Sequence, residues 1–222
     1  MKVELIAYTP NPLETIEKAA STCYNSEPSP DGKIMMACYR SGHHSVLEHV
    51  SFSYKITGVS RSLLAQLTRH RVGDAFSVRS QRYCSEDGFG YVTPPSIQKN
   101  ERAKVLYDQL MENIASGYAL LTSLDIPQED ARFLLPNACE TAITFTVNLR
   151  ELIHICNERL CARAQWEIRA MTQAMVNETV KVFPESKEML VPKCEKNKDF
   201  PYCPEKQCCG RHKKLKEVYR NE

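Results

Sequence analysis

Two stretches of the chain alternate with a strict period of two. Val50-Ser-Phe-Ser-Tyr-Lys-Ile56 is one, and Thr141, Ile143, Phe145 and Val147 mark the other. Such a period puts every second side chain on one face, as in a half-buried strand. Each stretch runs into a helix start. Ser60 can cap a helix that includes Leu63, Leu64 and Leu67, and Asn148-x-x-Glu151 is a capping box that opens a helix through Leu160. A strand feeding a capped helix, twice, marks the chain as α/β or α+β.

The rest of the chain fits around these units. Lys2–Tyr8 reads as a short strand. Asn11-Pro12-x-Glu14 has the form of a capping box, opening a helix that turns Ile16, Ala19 and Ala20 inward. A turn over 26–31 leads to a helix near Lys33–Arg40. Gly58 is expected to break the first alternating strand, and Pro94-Pro95 to close a loop that follows Arg71. Ile97–Leu121 reads as a long helix and Gln128–Leu135 as a shorter one. Ala164, Ile168, Met171, Met175 and Val182 keep helical spacing up to Phe183, before Pro184. Lys, Cys and Pro then rise and apolar periodicity ends. The expected organisation is one domain over 1–190 with a Cys/Lys-rich tail over 191–222.

Charge narrows the function. The 222 residues carry 29 Lys and Arg against 27 acids, a net charge of +2. That argues against a general nucleic-acid coat, so an anion site must come from local clustering. No apolar run approaches membrane-spanning length, and MKVELIAYTP lacks the apolar stretch of a secretory signal. The ten cysteines are therefore expected in a reducing cytoplasm.

The clustering is local at residues 69–83, RHRVGDAFSVRSQRY. Arg69, His70, Arg71, Arg79 and Arg82 face one acid, Asp74. Arginine grips phosphate with a planar fork of donors, Ser77 and Ser80 add hydroxyls, and Phe76 and Tyr83 offer stacking faces. Phosphate plus a flat ring is nucleotide chemistry. A solvated helix end would account for two or three of these cations but not for all of them. A second group, Arg150, Arg159, Arg163 and Arg169, lies near Trp166, which reads as a core anchor. Arg132, beside Asp130, could be an ordinary paired surface charge. GHHSVLEH (42–49) holds three histidines, but its order is not that of a zinc protease. A histidine satisfied by a backbone carbonyl at the strand entry is the favoured reading.

Four segments together resemble the flavin-dependent thymidylate synthases: GHHSVLEHVSFSYKITGVSRSLLAQLTRHR (42–71), FSVRSQRY (76–83), ARFLLP (131–136) and NLRELIHICNERLCARAQWEIR (148–169). The resemblance implies dTMP synthesis from dUMP by reductive methylation. Methylenetetrahydrofolate gives the carbon, FAD reduced by NADPH gives the hydride, and no cysteine nucleophile is used. It implies a mainly antiparallel sheet flanked by helices, and a homotetramer with interfacial sites. Carried over by position, Ser45, Arg69, His70, Arg71, Asn148, Arg150 and His154 would contact FAD. Gln66, Arg69, Ser80, Gln81, Arg82, Arg132 and Arg159 would contact dUMP. Arg159 would act catalytically by stabilising the ionised N3 of uracil. The segment between Arg71 and Ser80 is one residue longer than the family's usual spacing, with the extra residue within Val72–Ala75 beside Gly73. Asp74 and Arg79 stand where the family usually has uncharged residues.

No metal is assigned to that site. In the tail, Cys194, Cys203, Cys208, Cys209 and His212 could close a tetrahedral zinc site or stay unliganded. Two other functional classes stay open: a flavin- or nucleotide-binding relative without turnover, and a zinc-tailed nucleic-acid module. No membrane or nucleic-acid partner is expected of the synthase.

Overall fold

The computed structural model describes residues 1–218, so the last four residues of the tail lie outside the described residues. The elements in chain order are β1 (Lys2–Tyr8), α1 (Pro12–Tyr24), α2 (Lys33–Arg40), a 3₁₀ turn (His44–His49), β2 (Ser51–Ser60), α3 (Arg61–Leu67) and β3 (Asp74–Val78). They continue with α4 (Pro95–Gln98), α5 (Glu101–Ser123), α6 (Gln128–Ala131) and its 3₁₀ extension (Arg132–Leu134), β4 (Glu140–Asn148), α7 (Leu149–Arg159) and α8 (Trp166–Val182). Two 3₁₀ turns, Pro184–Glu188 and Lys193–Glu195, and α9 (Leu215–Val218) complete the chain.

The four strands form one sheet in the order β1-β2-β4-β3. Where the ends of neighbours meet, they run antiparallel. The amide of Thr9, just past β1, donates to Ser51 O at the start of β2, and Arg79 N, just past β3, donates to Ala142 O near the start of β4. The α+β class expected from the alternating stretches is thus the class observed. The chain divides into two compact units. The first holds residues 1–2, 56–69 and 76–144, and the second holds 3–55, 70–75 and 145–222.

The second unit is built where the alternation predicts. Phe52 and Tyr54 of β2 and Phe145 and Val147 of β4 are fully buried, with Ile16, Leu47, Leu152, Ile168 and Met175 also in its core. Tyr54 brings a phenol into this interior, and burial pushes its pKa up. Its hydroxyl lies 2.5 Å from Thr179 Oγ1, and Thr179 donates to Met175 O at 2.9 Å. The threonine proton is therefore spent, and Tyr54 donates. Tyr54→Phe is expected to cost about 1 kcal/mol, because one buried hydroxyl loses its donor. Urea denaturation checks this, and an unchanged midpoint would contradict it.

In the first unit Met111 of α5 packs with Phe89 and Cys139 in one apolar group. The helix also leaves Val105, Leu106 and Leu110 exposed, and Phe133 beyond α6 is 82 % exposed.

Several local expectations fail for identifiable reasons. Asn11 adopts φ 47°, in the left-handed region, and makes no side-chain cap, so the first capping box does not form. Gly58 (φ 66°) does not end β2. The strand continues to Ser60, with Gly58 backed closely against Met1. The loop expected after Arg71 contains β3. The long helix expected from Ile97 is split, with Asn100 capping α5 by accepting from Ala103 N at 3.1 Å. Trp166 is half-buried in the first turn of α8 rather than a core anchor. Ser60, Asn148 and Gln165 do cap their helices.

Candidate active site

In the second unit, three side chains of α7 converge on His70. The imidazole is only 6 % exposed. Arg159, in the last turn of α7, donates its Nε–H to His70 Nε2 at 3.1 Å. A guanidinium has no lone pair to offer, so Nε2 must be the unprotonated nitrogen and Nδ1 carries the proton. That proton points at Glu151 Oε1, 3.0 Å away. The result is a directed chain, Arg159 to His70 to Glu151. His154, one turn on from Glu151 along α7, packs edge-on against His70 at 5.6 Å between ring centroids. Glu151 is the third helical residue of the capping box. Its amide bonds to Asn148 Oδ1 at 2.9 Å, while its side chain leaves the cap for the histidine.

A cavity of about 640 Å³ opens beside this chain. Asn148, Arg150 and His154 line it, together with Glu48, Lys193 and Lys196. Arg150 pairs with Glu48, the acid of the 3₁₀ turn that also carries Ser45. Ser45 itself is exposed and does not line the cavity. Arg71 is exposed just after the buried His70. His44, at the start of the 3₁₀ turn, meets Tyr39 O through Nε2 at 3.1 Å, whereas His49 at the strand entry is exposed, so the carbonyl-satisfied histidine is not the one expected.

In the segment expected to be one residue longer, Gly73 takes φ 76° and presents its carbonyl to Asn148 N at 2.8 Å. Asp74 follows at the start of β3. Its Oδ2 is buried with no hydrogen-bond partner among the described residues. Burial, and after it the Glu151 charge, pushes its carboxyl up. A carboxyl raised in the folded state opposes folding once ionised, and that penalty vanishes below the ordinary carboxylate range. Asp74→Asn is therefore expected to be more stable than the parent at neutral pH, with the gap closing as pH falls through the raised folded value and gone below about 4. Thermal unfolding across pH tests the sign, and a gap that widens on acidification would reverse it.

The first unit holds the remaining expected residues. Gln66 and Arg69 lie on or just after α3, and Arg69 is exposed. Ser80, Gln81 and Arg82 form a turn in which Ser80 Oγ accepts from Arg82 N at 3.2 Å and Ser80 O accepts from Cys84 N at 3.0 Å. Arg82 reaches Glu129 through Nε at 3.1 Å and Nη2 at 3.0 Å, and its guanidinium lies 5.3 Å from the Tyr83 ring centroid. Arg132 donates to Glu129 O at 3.0 Å, so a carbonyl holds it rather than the carboxylate of Asp130. Arg79 spans Glu86 (3.3 Å) and Ser85 O (3.0 Å), and Arg61 donates to Arg79 O at 2.7 Å. These bonds give Arg79 a structural task in shaping the loop. Gln81 reaches the Cys139 sulfur at 3.6 Å, and burial pushes that thiol up to about 11.

Sequence reasoning passed over Glu151, Glu48, Lys193 and Lys196. Glu151 carried a signal, because it closes the second capping box. Glu48 stood inside a quoted motif. The two lysines belong to the tail, whose fold no periodicity announces.

The arrangement is that of an anion- and ring-binding protein, with fixed arginines in both units. The family described as "Thymidylate synthase complementing protein" matches residues 4–185. The flavin-dependent thymidylate synthase of Nitratidesulfovibrio vulgaris is 39% identical over 95% of this chain and 95% of its own. That of Clostridium tetani is 37% identical over 99% and 97%. The solved structure of the Helicobacter pylori flavin-dependent thymidylate synthase complexed with FAD and dUMP superposes with a TM-score of 0.68. It is 26% identical and covers 86% of this chain and 98% of that chain. The chain belongs to the flavin-dependent thymidylate synthase family.

Proposed function

We propose that this protein makes dTMP from dUMP, with methylenetetrahydrofolate as carbon donor and NADPH as the source of reducing equivalents. The observation that carries the reading is the Arg159–His70–Glu151 chain, which fixes a guanidinium beside a polar cavity within a chain of this family. The residues present fit FAD. The cavity offers Arg150, Lys193 and Lys196 to a diphosphate, and Asn148 and His154 to a ring. Bound FAD supplies the hydride chemistry.

This chain's own residues bind and polarise. Arg159, half-buried and oriented by His70, is placed to stabilise negative charge on the N3 side of uracil, making C5 nucleophilic without a covalent thiolate. Cys139, bonded to the nucleotide-contacting Gln81, is held protonated at neutral pH by burial and is a poor nucleophile. Ser80, Gln81, Arg82, Gln66, Arg69 and Arg132 are assigned to dUMP. Ser45, Arg69, His70, Arg71, Asn148, Arg150 and His154 are assigned to FAD. Arg82 now spends its fork on Glu129, a bond that a nucleotide phosphate can replace.

The exposed apolar side chains of α5 and Phe133 support self-association, which we assign as the homotetramer the family resemblance implies. No helix among the described residues is long and apolar enough to cross a membrane. We assign the protein to the cytoplasm, consistent with ten free cysteines.

The test is tritium release from [5-³H]dUMP with methylenetetrahydrofolate and NADPH, alongside flavin absorbance. Both are expected. Flavin retention with no dUMP-dependent oxidation of the reduced flavin would instead indicate a binding relative without turnover.

A further inference from the structure

The described part of the tail has little to fold around. Between Lys193 and Val218 it contains one 3₁₀ turn and the single-turn helix α9. Its buried side chains in that span are Cys194 and Cys203. A segment without a core of its own keeps one shape when something cross-links it.

Cys194, Cys203, Cys209 and His212 of this segment border one small space. Cys203 N donates to Lys213 O at 2.8 Å, which lays the Cys203 strand beside the returning chain. Gly210 makes that return at φ 91°. In consequence Cys194 Sγ, a Glu195 carboxylate oxygen and a His212 ring nitrogen all lie within 4.8 Å of one another. A space of about 10 Å³ is bordered by Cys194, Cys203, Cys209 and His212, with Cys161 of the α7–α8 connection also on its wall. That is room for one ion or one water and for nothing larger. Cys208 stands beside Cys203, its side chain meeting that thiol, but does not border the space. Its sulfur bonds to His212 O at 2.9 Å and accepts from Gly210 N at 3.3 Å, holding the turn that aims its neighbours.

We propose that this pocket is a structural zinc site with Cys194, Cys203, Cys209 and His212 as the four ligands. Three cysteines and a histidine bordering one small space match zinc, which takes four sulfur and nitrogen donors tetrahedrally and needs no open position. Glu195 acts on the ligand histidine from outside. Its Oε1 lies 3.3 Å from His212 Nε2, which leaves Nδ1 for the metal and fixes the ring. Arg211 Nε, 3.2 Å from the same oxygen, balances that carboxylate. On binding, the three thiols lose their protons to solvent and coordinate as thiolates. The tail so pinned presents Lys193 to Glu158 of α7 at 3.2 Å, which ties the metal to one wall of the larger cavity.

The proposal does not depend on the enzymatic reading, and its test reads metal directly. Full-length protein, purified under reductant and without chelator from zinc-supplemented culture, is expected to carry about one zinc per chain by mass spectrometry. Cys203→Ser and Cys209→Ser should each drop below about a tenth of an equivalent, while Cys23→Ser, on the exposed face of α1, should keep the full amount. If the serine variants fail to fold, cobalt(II) added to metal-free parent protein decides the matter. Thiolate-to-cobalt charge-transfer bands with intense d–d absorption of a tetrahedral site are expected. Parent protein with neither stoichiometric zinc nor such a cobalt spectrum would overturn the site. So would a Cys203–Cys208 disulfide persisting under reductant. Loss of zinc on Cys161→Ser with retention in Cys209→Ser would overturn the ligand set.

Discussion

Arg159→Ala is expected to lower turnover by about 10²–10³-fold, the scale of removing one fixed donor from developing charge. The purified variant should stay yellow, because Asn148, Arg150 and His154 line their cavity without help from Arg159. Arg159→Lys should recover little. An ammonium keeps the charge but loses the planar fork, one arm of which is spent on His70. Single-turnover oxidation of the reduced flavin by dUMP and methylenetetrahydrofolate separates chemistry from release. Loss of flavin with unchanged turnover per remaining flavin would move Arg159 from the uracil to the cofactor.

Gly73→Ala should destabilise the protein by about 2–4 kcal/mol, combining left-handed backbone strain with a displaced helix cap. A Cβ at this position would fall 2.2 Å from Asn148 Nδ2 and 2.7 Å from its Cγ, with φ at 76°. Asn148 cannot simply step aside, since its Oδ1 caps α7. Asn148→Ser in the Gly73→Ala background should restore part of the loss, because serine caps nearly as well and is smaller. A denaturant double-mutant cycle measures the coupling. Additive effects would show that the two side chains do not compete for the same space.

What could be read beforehand follows a physical line. β2 and β4 announce themselves because alternation is local and one face of each is buried. The Ser60 and Asn148 caps are equally local. β3 was hidden: Asp74-Ala-Phe-Ser-Val78 has none of its side chains fully buried, and its pairing comes from β4, far along the chain. Asn11 had the composition of a cap but not its backbone conformation. In the site, motifs carried over by position indicated His70, Asn148, Arg150, His154 and Arg159, and the second unit does gather these. Nothing in a linear motif tells which carboxylate a buried histidine will meet, so Glu151 emerged only in three dimensions.

The order β1-β2-β4-β3 also has a bearing on synthesis. β1 and β2 can pair once residue 60 has left the ribosome, across a loop of two short helices. β3 has no such neighbour. Its partner β4 emerges only after α4, α5 and α6, so the basic stretch from Arg69 to Tyr83 waits unpaired while that whole excursion is made. Closing so long a loop is slow relative to local contacts. Amide protection across Gly73–Val78 should therefore appear late in refolding, and a chain stalled before Asn148 would expose an unpaired strand flanked by arginines.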